Sequence, residues 1–137
     1  MLKSDTFREQ HKKALELMKL IQDRLSPAQV AADPQGVAMN LAKLSGVVNV
    51  HLSMEDKSLY PALMNHSNPL VKKSAEKFVK EMGGIASGFA AYYRKWNAMT
   101  IGAAPDLFIK ETKAIIATLS DRIQREEAEL YPLADNA

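Results

Sequence analysis

His51 and Glu55 stand four residues apart in the string HLSMEDKSLYP, so on a helix both side chains leave the same face. Glu126 holds the matching place in RIQREEAELYP, at a constant offset of 71 residues that also pairs Leu59 with Leu130, Tyr60 with Tyr131 and Pro61 with Pro132. His11, in FREQHKKALEL, adds a second imidazole on the apolar stripe of another segment. An ionised carboxylate in a helical core is costly unless it is paired or bound to a metal. Two histidines and two glutamates on inward faces are therefore a ligand set for a cation, and bundle metal sites are built from such side chains on facing helices. The residue types suit iron, manganese or zinc. Arg122 occupies the repeat position of His51. Its guanidinium is permanently cationic and can grip carboxylates through parallel hydrogen bonds.

Other chemistries find little footing. The chain has no cysteine, which excludes thiolate ligands, thiol catalysis and disulfides. No glycine-rich phosphate loop and no nucleophile elbow occurs. The carboxylate pair alone does not select acid–base catalysis, so no catalytic residue is assigned. With 18 Lys plus Arg against 16 Asp plus Glu, the charge is nearly balanced and the signs are mixed, which argues against a nucleic-acid or anionic-membrane partner. The longest stretch without Asp, Glu, Lys or Arg, residues 58–71, is too short for a membrane span of roughly 20 residues and contains two prolines. The N-terminus turns charged at once, so a cytoplasmic location is expected.

Helices must position the candidate ligands. Proline and capping residues mark four segments: Ser4 to about Leu25, Asp33-Pro34 to about Met64, Asn68-Pro69 to about Ala98, and Pro105 to about Leu133. Pro61 should kink the second or start a new turn. No segment alternates with a period of two, so no strand is expected. The long segments span about 45 Å at 1.5 Å per residue. Short connections favour antiparallel neighbours. The expectation is one all-α domain over residues 1–137, an up-down-up-down four-helix bundle. Its core stripes recur at spacings of three and four: Phe7, His11, Ala14, Met18, Ile21, Leu25; then Val37, Leu41, Leu44, Val48, His51, Glu55, Leu59, Ala62. The third is Val71, Ala75, Phe78, Met82, Ile85, Phe89, Tyr92, Trp96, and the fourth Phe108, Thr112, Ile115, Leu119, Arg122, Glu126, Leu130, Leu133. His51, Glu55, Arg122 and Glu126 interrupt otherwise apolar rows, with His11 facing them from the first.

The HLxxEDxxLYP string and the residues His11, His51, Glu55 and Glu126 resemble the hemerythrin-like family of HHE cation-binding domains, across about residues 5–134. The resemblance implies a four-helix bundle with two irons bridged by two carboxylates, in proteins that bind oxygen, sense oxygen or redox state, or handle iron. Carried over residue by residue, it makes His11 and His51 the histidines of one iron and Glu55 and Glu126 the bridges. The second iron should draw histidines from the third and fourth helices. Phe78 and Met82 stand at the third-helix ligand positions instead, and Arg122 at the fourth-helix one. His66 matches no ligand position.

All losses fall on one side, which suggests a site reduced to a single metal, with Arg122 as surrogate for the second cation. One iron or another divalent metal is the first reading, and a two-iron centre is disfavoured. The alternative is a metal-free bundle acting as an interaction or regulatory module, with a homodimer face or a regulatory protein as partner. Either way, binding or sensing is favoured over enzymatic turnover, and oxygen transport in the two-iron manner is disfavoured. Phe78 and Met82 are expected to fill the space of the lost iron and leave a drier, tighter cavity. Tyr60 and Tyr131 are expected to serve structurally near the bundle end. Gly83-Gly84 should weaken the third helix locally, and either let the first helix pack closely or mark a bulge that re-aims Met82; Lys72, Lys73, Lys77 and Lys80 should form a solvated face.

Overall fold

The computed structural model describes residues 4–136, whose regular elements are all helical with no strand among them. Four rods form the bundle. The first is α1 (Asp5–Gln22), followed by the short α2 (Pro27–Ala32). The second is α3 (Pro34–Met54), a π-helical turn at Glu55–Leu59, and α4 (Tyr60–Met64). The third is α5 (Pro69–Met82) and α6 (Ile85–Lys95), followed by the short α7 (Ala98–Ala103). The fourth is α8 (Pro105–Arg125), a second π-helical turn at Glu126–Leu130, and α9 (Tyr131–Asp135). Helix α1 packs on α3 and α8, and α6 packs on the same two from the opposite side, closing a four-membered ring. Neighbours run antiparallel: the Ser4 hydroxyl at the start of the first rod donates to Asp135 at the end of the fourth. No helix among the described residues is long and apolar enough to cross a membrane.

Local signals start the helices as anticipated at two places. Asp33 accepts from Gly36 N–H at 3.0 Å and Asn68 from Leu70 N–H at 3.0 Å, each before a proline in the first turn. Ser4 behaves differently. Its side chain makes no capping bond to α1 and, fully buried, spends its hydroxyl on Asp135. The segment between Ser26 and Asp33, expected as a connection, is the helix α2, capped by Ser26 accepting from Gln29 N–H at 3.2 Å. The third rod breaks at Gly83-Gly84, the two turn residues between α5 and α6. The four lysines of α5 are all exposed.

Both π-helical turns precede a proline by the same spacing. Pro61 and Pro132 lack the N–H for the carbonyl four residues back, and their rings would crowd it. The chain widens by one residue instead: Tyr60 N–H bonds Glu55 O, and Tyr131 N–H bonds Glu126 O. The inserted residue shifts the buried face. Leu63 is buried in place of Ala62, Ala134 in place of Leu133, and Tyr60 and Tyr131 turn wholly inward. The stripes otherwise hold, apart from Ile85 and Ile115, which are half-buried.

The apolar core is divided in two. One cluster runs from Leu25, Val37 and Phe108 to Leu52, Leu119 and Ile123, and includes the edge-on pair Trp96–Phe108 with ring centres 5.3 Å apart. The other gathers Phe7, Leu59, Leu63, Phe78, Met82, Leu130 and Ala134. Between them, one helical step from each along every contributing rod, lies a single layer of buried polar side chains: His11, His51, Glu55, Arg122 and Glu126.

Candidate metal centre

Each member of the layer comes from a helix whose apolar neighbours hold it in place. His11 sits on α1 between Phe7 and Ala14, His51 at the last turn of α3, Arg122 at the last turn of α8, and the two glutamates open the π-helical turns. Glu55 and Glu126 are completely shielded from water. One donor atom from each of His11, His51, Glu55 and Glu126 can be chosen so that all lie within 4.8 Å of one another.

The Glu126 oxygens divide between two sides, whereas Glu55 Oε1 serves both. Glu126 Oε1 faces the imidazoles, 3.0 Å from His11 Nε2 and 3.6 Å from His51 Nε2. Its Oε2 accepts from Arg122 Nε at 3.2 Å and from Tyr60 O–H at 2.8 Å. Glu55 Oε1 lies between His51 Nε2 at 3.1 Å and Arg122 Nη2 at 3.0 Å. Its Oε2 accepts from Tyr131 O–H at 2.6 Å. One guanidinium thus spans both glutamates, and its Nη1 donates to the Met82 carbonyl at 3.2 Å. That carbonyl is available because α5 ends at Met82 and the last carbonyls of a helix lack intrahelical donors.

The outer nitrogens of the two histidines are fixed by partners on neighbouring positions. Glu127 Oε1 accepts from His11 Nδ1–H at 2.9 Å, and Arg8 grips the same carboxylate from outside. Gln10 Oε1 accepts from His51 Nδ1–H at 2.7 Å, and the amide nitrogen of Gln10 faces Met54 Sδ at 3.2 Å. With a single proton held on Nδ1, as metal coordination requires, an imidazole at either position would turn its Nε2 lone pair toward the carboxylates. His51 Nε2 is buried and makes no aligned hydrogen bond. Lone pairs of nitrogen and carboxylate facing each other at about 3 Å repel unless a proton or metal cation lies among them. The residues therefore fit a metal ion: the donor types are right, the inner lone pairs converge, and the outer nitrogens are held as metal-ligating histidines usually are.

Without a metal, the same carboxylates draw a proton to His51. Burial alone would lower the His51 pKa, but the Glu126 and Glu55 carboxylates outweigh it and lift it from 6.5 to about 9. Burial also opposes the charge on Glu126, yet His11, His51 and Arg122 hold its carboxyl well below the usual range. Glu55 is pushed up, by burial first and then by the charge of Glu126. Burial and the same two carboxylates push the Tyr60 and Tyr131 phenols far above their ordinary value, so both are neutral donors when no cation is bound.

Sequence reasoning located the five central residues, misplaced two around them and missed two more. Tyr60 and Tyr131 are in the layer, not near the bundle end, because the π-helical turns rotate them inward. Gln10 and Glu127 were overlooked as polar, partly exposed neighbours of His11 and Glu126; their adjacency to those residues was the available signal. Phe78 and Met82 lie on the Arg122 side of the layer, as their positions in the repeat imply, but they do not close it. A cavity of about 200 Å³ remains, bounded by Tyr60, Met64, Phe78, Met82 and Arg122. His66 lies in the loop after α4, accepting from Asn68 N–H at 3.0 Å, away from the layer.

In comparison with protein families, the chain matches the family described as Hemerythrin HHE cation binding domain, over residues 2–134. Comparison with curated proteins and with solved structures gives no match.

Proposed function

The chain belongs to the hemerythrin HHE cation-binding family, and from that premise we propose that it holds a single metal ion, iron by preference, on His11, His51, Glu55 and Glu126, with Arg122 in place of a second cation. The observation that carries this reading is the buried His51 Nε2, which faces two carboxylates and has no hydrogen-bond partner. The position of Arg122 supports the second half: its Nε and Nη2 take one oxygen from each glutamate, which are contacts a second bridged cation would make. Bound in this set, iron would supply a redox-responsive centre suited to sensing or binding a small oxidant. The chain's own residues orient the imidazoles, neutralise one of the two carboxylate charges and exclude water from the layer. Metal analysis of the purified protein, followed by reconstitution with ferrous iron and removal of excess, tests the reading. One iron per chain is expected; two per chain, or none under any loading condition, overturns it.

A metal-free role draws on a different observation. Every other polar group of the layer already has a partner within the chain, so Arg122 and one protonated histidine could balance the glutamates alone. In that case the bundle acts through its surface, as a homodimer or toward a regulatory partner. Melting temperatures that are identical with iron and with chelator would favour it.

A further inference from the structure

Tyr131 lies inside the candidate donor set. Its hydroxyl oxygen is 2.6 Å from Glu55 Oε2, 2.9 Å from His11 Nε2 and 3.4 Å from Glu126 Oε1, and its ring stacks on that of His11 with centres 5.0 Å apart. Three of the four candidate ligand residues thus meet the phenol oxygen at hydrogen-bonding range. Its repeat partner is placed differently. Tyr60 O–H reaches Glu126 Oε2, the oxygen already held by Arg122, and the guanidinium carbon lies 5.5 Å from the centre of the Tyr60 ring. The repeat therefore gives one tyrosine to the imidazole side and one to the guanidinium side.

We propose that Tyr131 is a fifth donor to the cation held by His11, His51, Glu55 and Glu126, coordinating through its phenolic oxygen as a phenolate. The proposal rests on the single-metal reading above. Charge supports it as well as distance. Two carboxylates against one guanidinium leave a single negative charge in the layer, so a divalent cation would leave a net positive charge buried between two apolar clusters. A phenolate at Tyr131 restores neutrality for a divalent ion and halves the excess for a trivalent one. On coordination the O–H bond breaks, the oxygen keeps the electron pair and directs it to the metal, and the proton now shared with Glu55 leaves to solvent; no oxidation change is involved. Two carboxylates and a phenolate with two imidazoles form an oxygen-rich, hard set, which favours ferric iron over softer ions.

The test loads the full chain with ferric citrate, removes excess, and measures iron per chain together with visible absorption and resonance Raman scattering, for wild type, Tyr131→Phe and Tyr60→Phe. Wild type is expected to bind iron and to show a visible phenolate-to-iron(III) charge-transfer band with phenolate ring modes that shift when the tyrosines are ring-deuterated. Tyr60→Phe should keep the band and Tyr131→Phe should lose it. If Tyr131→Phe also loses iron, retention of the phenolate modes in Tyr60→Phe still assigns them to Tyr131. Iron bound to wild type without phenolate modes, or a band that survives in Tyr131→Phe or vanishes only in Tyr60→Phe, overturns the proposal while leaving the single-metal reading intact. Failure of wild type to bind any iron overturns both.

Discussion

Arg122 Nη2 donates to Glu55 Oε1 at 3.0 Å across the bundle, between two side chains that are both shut off from water. Removing one partner of a buried ion pair is far more costly than the net worth of the pair, because the other charge is left unpaired. Arg122→Leu is therefore expected to destabilise the metal-free protein by about 3–5 kcal/mol. Bound metal would cover part of the exposed charge, so added iron should raise the melting temperature of the variant more than that of wild type. Urea unfolding and melting curves with and without metal check both.

The metal-free protein should lose stability between pH 6.5 and about 9. The His51 pKa is higher folded than unfolded, so its stabilising contribution is complete below 6.5 and disappears as pH rises through 9. His51→Gln should flatten this part of the pH–stability curve, measured in chelator. Metal affinity should move the opposite way over the same interval, because coordination needs the neutral imidazole.

Gln10 and Glu127 each fix the tautomer of one histidine from behind. Gln10→Leu or Glu127→Leu frees the imidazole to rotate or to place its proton on Nε2. Either is expected to weaken metal binding by about 10–100-fold, read by competition with a chromophoric chelator. Leu15, exposed on the same helix, provides a control position at which polar substitution should leave affinity unchanged.

Gly83 and Gly84 are adjacent but should respond oppositely to alanine. A Cβ at Gly83 would lie 2.5 Å from the Val79 carbonyl oxygen, a backbone atom that cannot easily give way. Gly83→Ala should cost about 1–3 kcal/mol, as overpacking does, and should disturb the Met82 carbonyl that Arg122 uses. At Gly84 nothing lies within 4 Å of the new atom, and φ is −83°. Gly84→Ala is expected to be neutral or to stabilise by about 0.4–1 kcal/mol through the unfolded chain. Denaturation midpoints of the two variants distinguish these effects.

His11, His51, Glu55, Arg122 and Glu126 were legible in the amino-acid sequence because a straight α-helix repeats its buried face every three to four residues, and these five fall on that count beside apolar neighbours. The duplication then set Glu55 and Glu126 at one height. The same count fails beyond each glutamate. Pro61 and Pro132 signal a disturbance, but whether the chain kinks, stops or widens by one residue is decided by what the following side chains can pack against. Only the folded bundle chose the wider turn, and with it brought Tyr60 and Tyr131 into the layer. The division of Glu126 between an imidazole side and a guanidinium side, and the sharing of Glu55 Oε1 by His51 and Arg122, are likewise matters of rod spacing and rotamer, which no single helix encodes. So is the cavity beside Arg122, whose size depends on how far Phe78 and Met82 reach across from another rod. Periodicity along one helix determined which residues face inward, and contacts between rods decided what they meet there.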